Sequence, residues 1–99
     1  TQWVEARFHR ARQVRSVGVY WMQDRQEVMF PKEWSLEVLQ GGKWEPFKLY
    51  TTDRYDHRAN QYNVVHPAAP LKCEAIRIRM TPKEDACVGI LEVQVAFEK

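Results

Sequence analysis

Ala75-Ile76-Arg77-Ile78-Arg79-Met80 alternates without a break. Ile76, Ile78 and Met80 fall on one side of an extended chain and Arg77 and Arg79 on the other, because successive side chains of a strand point to opposite faces. No helix makes sense of this stretch, since its apolar residues recur every two positions. Downstream, Leu91, Val93, Val95 and Phe97 share one face against Glu92, Gln94 and Ala96. Upstream, Tyr62 to His66 is a short strand ended by Pro67, and Glu33 to Leu39 sets Trp34, Leu36 and Val38 against Glu33, Ser35 and Glu37. Gln40-Gly41-Gly42-Lys43 then reads as a hairpin turn whose glycines can take positive φ, with Trp44 opening the return strand. Closer to the N-terminus, Gln13 to Met22 places Val17, Val19 and Trp21 together, and Trp3 to Phe8 does so for Val4, Ala6 and Phe8.

The pattern predicts about seven short strands and an all-β, antiparallel sandwich, because each strand offers a single apolar face and two sheets must close to bury both. Arg77, Arg79, Glu33 and Glu37 are read as solvated outer-face residues, and at least three of Trp3, Trp21, Trp34 and Trp44 as core or sheet-rim residues. Strand alternation sends the long connections Gln23–Pro31, Tyr50–Gln61 and Thr81–Val88 to one rim. The short links His9–Gln13, Gln40–Lys43 and Pro67–Glu74 go to the other. Long loops are where ligands are usually met.

The 99 residues form a single domain, 1–99. Fifteen Lys and Arg against thirteen Asp and Glu leave a net charge of +2, too balanced for a protein that grips a phosphate backbone along its surface, so nucleic acid is not an expected partner. No apolar run approaches the ~20 residues of a membrane-spanning helix. The sequence opens on Thr1-Gln2-Trp3-Val4, without an initiator Met or a signal-peptide core, and is read as part of a longer protein.

Independent catalysis is not expected. Ser16 and Ser35 lack a nucleophile-elbow setting. Four glycines build no phosphate loop. Glu5, Glu33, Glu37 and Glu92 alternate with core positions and so point outward, away from any cleft that could raise a carboxyl pKa. No metal site is expected either: Cys73 and Cys87 flank a strand with no C-x-x-C pair, and His9, His57 and His66 have no ligand spacing. Both thiols are expected free, because the intervening strand holds them too far apart for a disulfide.

The polar-aromatic stretch from Tyr50 to Gln61 mixes Asp53, Arg54, Tyr55, Asp56, His57, Arg58 and Asn60. Sugar recognition uses such a mixture, with an aromatic ring against the C–H face of a pyranose and planar polar groups on neighbouring hydroxyls. Asp24 and Arg25, with Gln26, offer similar groups on the other long loop. The candidate ligand-binding residues are therefore Asp24, Arg25, Arg54, Tyr55, His57 and Asn60. The alternative for the stretch is a solvated loop of local Asp–Arg pairs. Phe30, ahead of Pro31, is expected to tuck beneath the sandwich.

Taken in order, Trp3-Val-Glu-Ala-Arg-Phe8, Val14-Arg-Ser-Val-Gly-Val-Tyr-Trp21, Pro31-Lys-Glu-Trp-Ser-Leu-Glu-Val38, Gly42-Lys-Trp44, Ala75-Ile-Arg-Ile-Arg-Met80 and Val88-Gly-Ile-Leu-Glu-Val-Gln-Val95 resemble the discoidin, or coagulation-factor C-type, domain of the galactose-binding-like fold. The nearest likeness is to the version appended to secreted bacterial glycoside hydrolases, especially the β-L-arabinofuranosidase-like enzymes. The resemblance implies an eight-stranded jelly-roll sandwich and a non-catalytic carbohydrate-binding accessory role, secreted or at the cell surface or periplasm. Its implied partners are a plant or host polysaccharide and the parent's catalytic domain. Family members also carry a first strand ahead of the Trp3 equivalent, and often hold a structural calcium through that region; here that segment has no counterpart, and no cofactor is expected. Another chain, or another part of the protein, is expected to fill the edge so exposed. Two alternatives come with the resemblance: a purely structural sandwich packed on a catalytic domain, or a protein- or membrane-surface adhesion module using Val28, Met29 and Phe30.

Overall fold

The computed structural model describes residues 2–22, 28–29, 31–56, 58, 60–81 and 87–98, with the backbone alone at 22, 28–29 and 87–91. Every regular element among them is a strand: β1 (Gln2–Met22), β2 (Val28–Met29), β3 (Glu33–Gln40), β4 (Lys43–Pro46), β5 (Tyr62–Val65), β6 (Leu71–Thr81) and β7 (Cys87–Phe97). The order is β2-β7-β1-β6-β3-β4, with β5 also on β1, and all pairings are antiparallel except β2 with β7.

The strands Trp3–Phe8 and Gln13–Met22 expected from periodicity are one continuous strand. At ~3.3 Å per residue a straight strand of this length would reach about 70 Å, yet the molecule's longest dimension is 40 Å. β1 is therefore bent. The bend is written in its register: between the pairs Arg7↔Ala75 and Arg12↔Cys73, β1 advances five residues while β6 advances two. Such an insertion disrupts the ladder and turns the strand. The sheet thereby curls on itself. One layer holds residues 2–7 of β1 with β6, β3 and β4; the other holds residues 14–22 of β1 with β5, β7 and β2.

The core lies between these layers. Val14, Val17, Val19 and Trp21 from one meet Trp34, Leu36, Val38, Ile76, Ile78 and Met80 from the other, each at most 4% exposed. Among the described side chains the expected inward set holds, with Ala6, Phe8, Val93, Val95 and Phe97 partly buried, except at the start of β1, where Val4 is 45% exposed; the side chain of Leu91 is outside the described set. Hairpin β3–β4 turns on Gly41 and Gly42, at φ 57° and 80°, a conformation that favours glycine.

The outer face of the β1–β6–β3–β4 layer departs from expectation. Trp3 lies there, 58% exposed, and Trp44 lies there too, opposite Leu39. Arg77 is not a freely solvated residue: its guanidinium carbon sits 3.9 Å from the Trp44 ring centre and 5.4 Å from that of Trp3. Glu5 and Glu37 flank it at 3.5 and 3.8 Å.

Candidate functional site

The registers sort the connections between two ends of the molecule. Glu33 pairs Thr81 and Gln2 pairs Met80, so the start of β3 and the end of β6 share one end with the start of β1. Gly41–Gly42 and Pro67–Pro70 lie at the other, with the bend of β1. The segment 50–61 does not sit on a single rim as expected. The Tyr50 N–H donates to the His66 carbonyl and the Asn60 N–H to the Trp21 carbonyl, so the described residues of the segment run from β5's distal end, at Tyr50, to the tip of β1, at Asn60. Val28 and Met29, expected in a loop, form β2 beside Cys87 and Val88.

A cavity of about 460 Å³ opens at the end where β3 starts and β6 finishes. Strand alternation sends Glu33, Ser35, Arg79 and Thr81 outward, and the Lys32 N–H holds the two strands together on the Thr81 carbonyl at 2.9 Å. Trp34 and Met80 form the inner boundary, Lys32 the outer one, and Tyr55 enters from the side segment. The wall thus offers two cationic side chains, one carboxylate, two aliphatic hydroxyls and the side chain of Tyr55. Arg79 is 44% exposed, with one nitrogen 3.7 Å from Glu37 Oε2.

Tyr55 is fixed rather than free. Its ring meets Trp34 edge to face at 4.8 Å, and Trp34 meets Trp21 likewise at 5.5 Å. The Tyr55 hydroxyl accepts from the Leu36 N–H at 3.2 Å and donates to the Phe47 carbonyl at 3.4 Å. Burial pushes its phenol pKa above the ordinary value, partly offset by the Leu36 N–H. The Trp34 indole donates to the Asp56 carbonyl at 2.7 Å. An aromatic row, Trp21–Trp34–Tyr55, therefore runs from the core to the cavity wall.

The remainder of the segment is tied down by polar side chains. Asp53 accepts from the His66 N–H at 2.5 Å and contacts the His66 ring at 3.0 Å. Asn63 on β5, 5% exposed, donates to the carbonyls of Arg58, Gln61 and Val19 and accepts from the Arg58 N–H. Near the same end, the Tyr62 hydroxyl donates to Glu92 at 2.5 Å, and that carboxylate drives the phenol up to about 12.

Of the expected ligand residues, Tyr55 lines the cavity. Arg54 is exposed beside it in the chain. Asn60 is exposed at φ 58° against the tip of β1. Asp24, Arg25, His57 and Phe30 lie outside the described residues. Lys32, Ser35, Arg79 and Thr81 were not singled out as ligand residues by sequence. Their signal was there, in the outward positions at adjoining ends of two strands. A second cavity, about 420 Å³, lies at the opposite end between Gln40, Glu45, Pro46, Lys48 and Pro67–Leu71.

Among the described residues, no group of three or more His, Cys, Asp or Glu is placed to hold a metal ion, and no helix is long and apolar enough to cross a membrane. Cys73 is a buried free thiol; the side chain of Cys87 is outside the described set. Compared with known protein families, with characterised proteins and with solved structures, the chain shows no significant match.

Proposed function

We propose that this domain is a non-catalytic carbohydrate-binding module, serving as an accessory to a secreted bacterial glycoside hydrolase. The observation that supports it is the open cavity between the ends of β3 and β6. There Lys32, Ser35, Arg79 and Thr81 supply donors and acceptors for hydroxyls beside Tyr55. Such a shallow polar wall suits a ligand held by several hydrogen bonds, with affinity near millimolar, or about −4 kcal/mol. Tethering to a catalytic domain makes an interaction of that strength useful by raising local concentration.

A glycan array of plant and host polysaccharides tests the proposal. The wild-type chain retains a subset of glycans, and Arg79→Ala lowers their signal while its melting temperature stays within a few degrees. An array on which Arg79→Ala and Lys32→Ala match the wild type on every retained glycan refutes the assigned surface. A second reading, a purely structural sandwich, draws on Asp53 and Tyr55, whose polar atoms bind the domain's own backbone.

A further inference from the structure

We infer that the open edge of β1, residues Gln2 to Arg10, pairs with the same edge of a second copy of this chain about a two-fold axis at Ala6. Val14 has Leu71 on one side and Phe97 on the other, so β6 and β7 flank β1 on opposite edges. β7 ends there, its last bond running from the Glu98 N–H to the Gln13 carbonyl. Among the described residues, no strand pairs residues 2–11 on the β7 side, and the backbone groups there form a template for another strand. Val4 is 45% exposed on the face that elsewhere is core.

The occupant is identified by the strand's own sequence. Antiparallel self-pairing about Ala6 puts Glu5 opposite the partner copy's Arg7, Val4 opposite its Phe8 and Trp3 opposite its His9. Opposite charges and apolar pairs then meet directly across the ladder, twice over, as a two-fold contact requires. The neighbouring registers lack this match. Shifting the axis to Glu5 sets Glu5 against Glu5, and shifting it to Val4 sets Glu5 against Trp3. A cavity of about 370 Å³, lined by Arg7, Phe8, His9, Arg10, Arg12 and Phe97, lies beside the receiving stretch. It stands where the partner copy's Gln2 to Val4 would lie, with Val4 reaching the Phe8–Phe97 pair, whose ring centres are 5.0 Å apart. Each copy's four-strand layer would then continue into the other's.

Sedimentation equilibrium of the 99-residue chain from a few to several hundred micromolar, with Arg7→Glu, Val4→Lys and Glu5→Arg, tests the inference. Arg7 is 64% exposed, so Arg7→Glu should fold as the wild type does, checked by its melting curve. The wild type dimerises reversibly. Arg7→Glu, which places four carboxylates at the axis, weakens the dimer by about tenfold or more, and so does Val4→Lys. Mixing Arg7→Glu with Glu5→Arg chains restores a heterodimer, because each like-charged contact becomes an opposite one; if Glu5→Arg fails to fold, the two other variants still decide. A chain that stays monomeric throughout, or a dimer that Arg7→Glu and Val4→Lys leave unchanged, overturns the inference. In the first case the edge is left to a different partner, and in the second another face joins the copies.

Discussion

The Arg77 guanidinium is stacked over Trp44, 3.9 Å from the ring centre, on the outer face of the sheet. This placement joins four strands. Arg77 comes from β6, Trp44 from β4 and the flanking Glu5 and Glu37 from β1 and β3. A desolvated cation over an indole is worth roughly 1–2 kcal/mol, and the partly exposed ion pairs add less. Arg77→Ala is expected to lower unfolding stability by about 1–3 kcal/mol in urea titrations. Arg77→Lys should recover only part of it, because an ammonium cannot stack as a plane.

Tyr55 ties the side segment to the edge of β3 through its hydroxyl. Tyr55→Phe retains the ring against Trp34 and leaves the Leu36 N–H without that acceptor. The expected loss is about 1–2 kcal/mol, read as a shift of the urea midpoint at constant slope. A variant as stable as the wild type would show that the hydroxyl contributes nothing to the closure.

Asn63 is the anchor of the same segment from the other layer. Its amide donors meet three carbonyls, so Asn63→Asp sets acceptors against acceptors in a buried place. A loss of roughly 3 kcal/mol is expected at neutral pH. The burial raises the new carboxyl's folded pKa, so the deficit should shrink as pH falls and the group is neutralised. Urea unfolding at pH 4 and pH 7 measures both effects.

Burial pushes the Cys73 thiol from 9.0 up to about 11. The folded chain therefore holds its proton where the unfolded chain has lost it. The contribution is complete below about pH 9 and is lost as pH rises toward 11. Unfolding midpoints at pH 8, 9 and 10 should fall more steeply for the wild type than for Cys73→Ala. Below pH 9 the native thiol should also react slowly with a disulfide reagent, since the thiolate is the nucleophile.

Much of the fold was legible because one side of each strand is dry. Ile76, Ile78 and Met80, or Val17, Val19 and Trp21, sit every second residue and are buried as that spacing requires. The bend in β1 was not legible as continuity, since Phe8 to Ala11 breaks the alternation in the same way as a loop does. The outer clamp could have been found: Trp3 alternates with Glu5 and Arg7, not with Val4, and so belonged to the polar face from the start. A cation between two indoles makes a covered surface from residues that a binary pattern scores as solvent. The side segment carries structural contacts for a related reason. Asp53, Tyr55 and Arg58 look like ligand groups in sequence, yet backbone groups released at strand ends also need partners, and Asp53, Tyr55 and Asn63 supply them. The cavity residues Ser35, Arg79 and Thr81 come from two strands far apart in the chain, with Lys32 just ahead of the first, so only the β3–β6 register brings them together.

The most direct test of the proposed carbohydrate site is a titration of the isotope-labelled domain with a glycan retained on the array, followed by amide chemical shifts. The account predicts saturable shifts concentrated at 32–35 and 79–81 and at Tyr55. Shifts confined to the opposite end, around Gln40, Lys48 and Pro67–Leu71, or no shifts at millimolar glycan, would contradict it.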